Sequence, residues 1–239
     1  MTLATPNPEE RTRSVKRMFG AIAPRYDLIN RILSFGVDVG WRRAMVRNLP
    51  QGRLKVLDLA CGTADVAIEI LRARPDALIF GADLSLPMLR AGRPKLIARK
   101  MEDAIYLAAA SAEDLPYADE TFDAVTIAFG IRNVSRREKA LAQMARVVKP
   151  GGKVLVLDFS LPPNPLVRRL YGFYFHRVLP LLGGLISGSL EAYRYLPKSV
   201  EGFPARKEFA EMMERAGFGE VAWVDYTLGV ATLYGGVKI

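Results

Sequence analysis

Three short segments of this chain carry residue types suited to a nucleoside-like ligand. Asp58-Leu-Ala-Cys-Gly62-Thr-Ala-Asp65 sets a glycine turn between acids. Gly62 lets the backbone turn tightly and lets a ligand approach it closely. Asp83 follows 21 residues after Gly62, and a carboxylate there can accept two hydrogen bonds from a ribose diol. Ser111-Ala-Glu-Asp-Leu-Pro116 offers side chains and backbone amides to an adenine edge. A glycine turn with an acid about 20 residues on also describes a dinucleotide site. Here Gly62-x-Ala64-x-x-Ala67 holds one of that motif's three glycines, which disfavours the dinucleotide reading. Taken singly, Gly62 serves packing as well as binding, and Asp83 serves as a strand-end helix cap. The three segments in register favour a ligand site.

These segments meet only if the elements between them carry them to one edge of a sheet. Strands are expected at Lys55–Ala60, Ala77–Ala82, Ile105–Ala109, Phe122–Phe129 and Lys153–Phe159, with helices between. Ser85 is the expected N-cap of the helix after Asp83, and Pro87 sits in its first turn. Ser135-Arg-Arg-Glu138 has the capping-box spacing, and Lys149-Pro-Gly-Gly152 should stop the helix that follows. Two terminal strands are expected near Val221–Tyr226 and Val230–Tyr234. Alternation of this kind gives right-handed crossovers and a mainly parallel sheet with helices on both faces. In such α/β sheets ligands bind beyond the carboxyl ends of the strands, where the strand order reverses.

Two regions depart from the alternation. Residues 1–50 form a helical lead-in, with residues 1–13 expected as a frayed arm. Val15, Met18, Phe19 and Ile22 then form one apolar stripe, which Pro24 should end or bend. Residues 162–203 form an insertion after the fifth strand, with an aromatic cluster from Tyr171 to Phe175, and are placed to set substrate specificity. The whole chain, 1–239, is expected to be a single domain.

Composition narrows the chemistry. The 239 residues are half apolar and a quarter charged, which supplies a core and excludes general disorder. One cysteine and one histidine exclude an intramolecular disulfide and the usual His/Cys zinc cages. The first residues are polar without an apolar run, so no signal peptide is expected, and the cytoplasm is the default location. A net charge of +9 admits nucleic acid, an anionic membrane face or an acidic ligand. The basic residues are scattered and form no nucleic-acid reader motif, so no nucleic acid is expected.

At this point the chain resembles a known family. DLACGTAD, GADLSLPML, SAEDLPYADETFDAV and RVVKPGGKVLVLDFS are similar, in order and spacing, to the motifs of class I S-adenosylmethionine-dependent methyltransferases. VKRMFGAIAPRYDLINRILSFGVDVGWRR, AFGIRNV, AYRYLPKSVEGFP and GVATLYGGVK resemble the menaquinone/ubiquinone biosynthesis C-methyltransferases, closest to the demethylmenaquinone branch. The resemblance spans residues 14–239 and implies a Rossmann-like sheet of seven strands. It implies S-adenosylmethionine as cofactor, with Thr63, Asp83, Ser111 and Ala112 on binding positions beside Asp58 and Gly62. It also implies a prenylated quinol as substrate, most closely demethylmenaquinol, with a benzoquinol of ubiquinone synthesis as the alternative. The family usually has Gly at the position of Ala64, whose methyl would then lie beside the methionine moiety. Some members carry Ser at the position of Ala128.

C-methylation of a quinol needs an ionised ring hydroxyl, which costs about 4 kcal/mol at pH 7 for a phenol-like group. Arg132, just after the fourth strand, is placed to lower that cost, with Asn133 as orienting donor. A structural ion pair is the competing role for Arg132. His176 is the one imidazole available as a general base, although a lone histidine among aromatics more often serves packing. Cys61 is explained by its turn and is not expected to act as a nucleophile. Residues 178–190 (VLPLLGGLISGSL) are too short to span a bilayer. They are placed either to dip into its anionic surface beside Arg168, Arg169 and Arg177 or to roof the quinol pocket. A homodimer is compatible with all of this. A nicotinamide-dependent oxidoreductase on the same crevice is the rival enzyme class.

Overall fold

The structure, a computed structural model, describes residues 7–181 and 190–239. Three helices lead in: α1 (Pro8–Ile22), α2 (Tyr26–Leu33) and α3 (Val37–Arg47). A 3-10 turn, Ala23–Arg25, joins the first two where Pro24 falls. Residues 8–13 belong to α1 and are not a frayed arm. The reason is legible in the sequence: the Asn7 side chain accepts from the Glu9 amide, Pro8 opens the first turn, and Glu9 and Glu10 face the helix's positive end.

The alternation follows as β1 (Lys55–Leu59), α4 (Asp65–Ala73), β2 (Leu78–Asp83), α5 (Leu86–Ile97), β3 (Ile105–Ala109) and β4 (Phe122–Ala128). Then come α6 (Arg137–Val147) and β5 (Val148–Phe159). The insertion supplies α7 (Pro165–Phe173), which runs into a π-helical turn at Tyr174–Val178, and α8 (Leu190–Glu201). Of the apolar run 178–190, residues 182–189 lie outside the described residues. Helix α9 (Arg206–Arg215) and strands β6 (Phe218–Tyr226) and β7 (Ala231–Lys238) complete the fold.

The seven strands form one sheet in the order β3-β2-β1-β4-β5-β7-β6. The first five are parallel, and β7 runs antiparallel to both β5 and β6. Alternation along the strands divides the core. Val56, Ala124, Leu155 and Leu157 pack with Trp41, Met45 and the apolar face of α4. Leu57, Val125, Ile127, Val154 and Val156 pack on the other side with α6 and α9. Both faces are covered, which is why the central strands read as near-continuous apolar runs.

Two local expectations need correction. Ser135 does not cap α6, which starts at Arg137; its hydroxyl instead donates to the Pro8 carbonyl at 3.0 Å and pairs with Thr12 Oγ1 at 2.9 Å. The Arg136 amide at that helix start donates to Glu113 Oε1. Lys149–Gly152 follows the end of α6 as expected but lies inside β5. There the pairing with β4 jumps from Phe122↔Val148 to Ala124↔Lys153, so the segment bulges out of register without ending the strand.

Candidate active site

The strand order reverses between β1 and β4, and the turns that follow these two strands bound a crevice. Their backbones are held in left-handed conformations. Ala60 (φ 49°), Gly62 (φ 54°), Ala64 (φ 68°) and Phe129 (φ 57°) all lie at these strand ends. For the non-glycine residues this geometry costs about 1–2 kcal/mol each and persists only where packing enforces it. Part of that enforcement comes from Gly92 of α5, where a Cβ would lie 2.9 Å from the Thr63 backbone. Helix α5 therefore presses directly on the turn. The methyl of Ala64 joins the core cluster with Trp41 and Val66 and does not line the cavities, which corrects the expectation that it crowds the ligand.

Three contiguous cavities open here. The first is lined by Gly62, Asp83, Ser111, Ala112, Asn133 and, from α1, Thr12, Val15, Lys16 and Phe19. Both oxygens of Asp83 already accept backbone amides, from Gly62 and Ser85, each at 2.8 Å. Ser85 stands at the N-cap position of α5 as expected, but its hydroxyl makes no cap bond, and Asp83 fixes the helix entry by holding the Ser85 amide. Each carboxylate oxygen keeps lone pairs for a ligand diol. Burial raises the Asp83 pKa against the lowering effect of those two amides.

The second, small cavity is lined by Asp58, Gly62, Thr63, Asp65 and Arg42. Asp58 is fully buried; its Oδ1 accepts from Thr126, its neighbour across the strand pair, and its Oδ2 has no partner. Burial pushes its pKa up to about 7. Around it runs an ionic web that sequence reading missed. Lys95 of α5 donates to Asp27 (2.7 Å), Asp65 (2.5 Å) and Thr63 (3.1 Å), tying α2, the turn and α4 together. Buried Arg42 pairs with Asp38 and lies 4.0 Å from Asp65. These residues reach the site by helix packing, and no local motif marks them.

The third cavity is the largest, about 260 Å³ against about 100 Å³ for the first. Phe19, Trp41, Phe129, Phe159, Tyr171 and Phe175 give it aromatic walls. Tyr26 and Phe129 line all three cavities and so mark their junction. Burial raises the Tyr26 pKa, with the nearby charges of Arg132 and Arg42 opposing.

Arg132 and Asn133, read together from sequence, part company in the structure. Arg132 is buried on the wall of the aromatic chamber and bridges to Asp158, Nη1 to Oδ1, at 2.6 Å. Its own amide donates to the other oxygen of Asp158. Its charge is therefore largely balanced, while its Nε is unpaired. Asn133 faces the first cavity and not the chamber. His176 lines none of the three cavities; it is half exposed and pairs with Glu201 at 2.8 Å, so no base role attaches to it. Cys61 is buried beside Asp58 and Asp83, and burial pushes its thiol well above the usual range, which leaves it inert. Among the described residues no cluster fit for a metal ion is present.

The arrangement suits a ligand with a ribose, an α-amino acid and a reactive centre between them. Asp83 matches a diol, and the orphaned Asp58 Oδ2 matches an ammonium that would satisfy it. Known proteins point the same way. The model of the ubiE/COQ5 methyltransferase family matches residues 7–238. The chain is 54% identical to the ubiquinone/menaquinone biosynthesis C-methyltransferase UbiE of Syntrophotalea carbinolica, over 95% of this chain and 94% of that one. It is 50% identical to the demethylmenaquinone methyltransferase of Thermus thermophilus, over 92% of this chain and 99% of that one. Among solved structures, an S-adenosylmethionine-dependent methyltransferase of Thermotoga maritima, a possible histamine N-methyltransferase, shares the fold. Its TM-score is 0.67 at 20% identity, over 93% of this chain and 99% of that one.

Proposed function

Because the chain belongs to the ubiE/COQ5 methyltransferase family, we propose that it C-methylates a prenylated quinol, demethylmenaquinol in the first instance, with S-adenosylmethionine as cofactor. The observation that carries this reading is the junction at Tyr26 and Phe129, where a crevice bearing Asp83 and Ser111, fit for the cofactor, meets an aromatic chamber fit for a ring. The oxidoreductase alternative has one motif glycine and no family support.

Asp83 takes the ribose diol; Asp58 and Thr63 take the amino-acid end; Gly62, Ser111 and Ala112 line the path of the nucleoside. The bound cofactor supplies an electrophilic methyl group on a sulfonium. The chamber walls hold the quinol ring against the Tyr26–Phe129 junction and keep water from it, so that the pair is fixed at reacting distance. Arg132 lowers the cost of ionising the ring hydroxyl; with Asp158 absorbing much of its charge, it acts as an aimed hydrogen-bond donor more than as a free cation. The ring carbon would bond the methyl group as the carbon–sulfur bond breaks with its electron pair going to sulfur; the ring then loses the hydrogen of that carbon as a proton, and the quinol's redox state is unchanged.

A prenylated quinol resides in the bilayer, and the same reading brings the enzyme to the membrane surface. Supporting this, Leu166, Leu170 and Phe173 of α7 are about two-thirds exposed, and Phe35 at the chamber rim is 82% exposed. Phe35 and Tyr174, just after α7, lie 6.3 Å apart between ring centroids, which brings Phe35 beside the C-terminal end of α7. Arg168, Arg169 and Arg177 are exposed beside them. No helix among the described residues is long and apolar enough to cross a membrane.

The test is anaerobic incubation with labelled S-adenosylmethionine and short-chain demethylmenaquinol, with the matching benzoquinol in parallel. Label in the naphthoquinol is expected. Label in the benzoquinol alone reassigns the ring, and label in neither ends the proposal.

A further inference from the structure

Most polar groups on the wall of the aromatic chamber are already engaged. Tyr174 donates its hydroxyl to the Leu33 carbonyl at 2.7 Å, and Trp41 Nε1 donates to Thr227 at 3.0 Å. Ser34 and Arg42 both bond Asp38. Three groups are different. The hydroxyls of Tyr171 and Tyr195 and the Nε of Arg132 are buried on this wall and have no hydrogen-bond partner. A buried polar group left unpaired costs about 1–3 kcal/mol. Five other buried side-chain atoms among the described residues also lack a partner, but none of them lies on this wall, so it is the grouping of these three that points to a ligand.

They come from three separate elements: Tyr171 from α7, Tyr195 from α8 and Arg132 from the turn after β4. Tyr171 is near enough to Arg132 to feel its charge, yet burial raises its pKa well above the usual range, so its hydroxyl keeps its proton. Arg132 Nε can only donate. Three groups able to donate on one aromatic wall suit an electron-rich oxygen carried by a flat ring. The two cations among the described residues of this wall, Arg132 and Arg42, are both engaged by carboxylates, which disfavours a larger anion such as a phosphate.

We propose that Tyr171, Tyr195 and Arg132 Nε form a three-donor pocket that holds one ring oxygen of the quinol as its oxyanion. This rests on the quinol reading above and names the residues that select the ionised acceptor. Tyr171, of the aromatic cluster, and Tyr195, of the AYRYLPKSVEGFP segment, thereby join Arg132 as binding residues, a role the sequence had not assigned to either tyrosine.

The probe is 4-nitro-1-naphthol, whose anion absorbs in the visible, titrated in the presence of excess protein. Wild-type protein should lower the midpoint of the bound probe relative to the free probe. Tyr171→Phe and Tyr195→Phe, which keep the rings, should each weaken binding of the anion about tenfold or more. Each should also move the midpoint back up, while binding of the neutral probe at low pH changes less than about twofold. Tyr174→Phe, whose hydroxyl is already engaged, should leave the midpoint in place. Circular dichroism and S-adenosylhomocysteine calorimetry confirm that each variant is folded with its cofactor crevice intact. Unchanged midpoints in both folded Tyr171 and Tyr195 variants, with quinol methylation intact in wild type, overturn the pocket and leave the enzyme reading standing. A wild-type protein that methylates no quinol removes both.

Discussion

At Asp58 burial and an unpaired oxygen meet in one carboxylate, and this makes the cofactor-free protein sensitive to pH. Its folded pKa of about 7 lies above the ordinary 3.8, so the folded state holds a proton that the unfolded state has released. The stability this group permits is fully present below pH 4 and is lost as pH rises to about 7. Over those three units the loss is on the order of 4 kcal/mol. Asp58→Asn should therefore raise the melting temperature of the cofactor-free protein at pH 8 and leave it nearly unchanged at pH 4, while weakening cofactor binding. A melting curve with the same pH dependence in wild type and variant would refute this. Asp83 works through both oxygens, and Asp83→Ala should weaken S-adenosylmethionine binding by about 1.5–3 kcal/mol in calorimetry; unchanged affinity in a folded variant removes it from the site. Residues of this kind were legible because a strand-end turn keeps them close in sequence. Lys95 was not, since it reaches Thr63 from 32 positions away through the packing of α5.

Among the elements, α1 does more than lead in. Its residues Thr12, Val15, Lys16 and Phe19 roof the cofactor crevice, and its first turns are tied to the loop after β4. Arg11 donates to the Arg132 carbonyl at 3.2 Å, and Thr12 and Ser135 bond each other and the Pro8 carbonyl. Combined Thr12→Ala and Ser135→Ala should weaken S-adenosylhomocysteine binding by about 1–3 kcal/mol, seen mainly as faster release in stopped-flow displacement. Release at the wild-type rate would show that the roof does not hold the ligand. The apolar stripe of α1 was readable from Val15 onward, but its partner was not. Periodicity shows that a face is buried and not what buries it. The same limit applied to Ser135, whose capping-box spacing was real although a tertiary contact claimed the hydroxyl. The strands fared better, because short apolar runs bounded by turn residues mark buried strands whatever packs against them.

For the whole molecule, the exposed apolar residues of α7 and Phe35, with three arginines beside them, predict co-flotation with anionic liposomes at low salt and release at high salt. Each arginine near an anionic surface contributes about 1 kcal/mol, so zwitterionic vesicles should bind less. No flotation with anionic vesicles at low salt would restrict the role of this face to roofing the chamber. The parallel sheet, its covered faces and the crevice at the switch point all followed from the order of elements. The route of the insertion did not, since nothing local in 162–203 says which helix lies on which. One feature of the sheet bears on how the molecule comes into being. Strand β7 follows the other six strands of the sheet in chain order, yet it lies between β5 and β6 and buries Tyr234 completely. During translation the first five strands therefore wait with an unsealed edge until residues 231–238 emerge from the ribosome. A chain stopped before Ala231 should remain bound to chaperones and sensitive to protease, whereas one extended past the exposed Ile239 should fold normally.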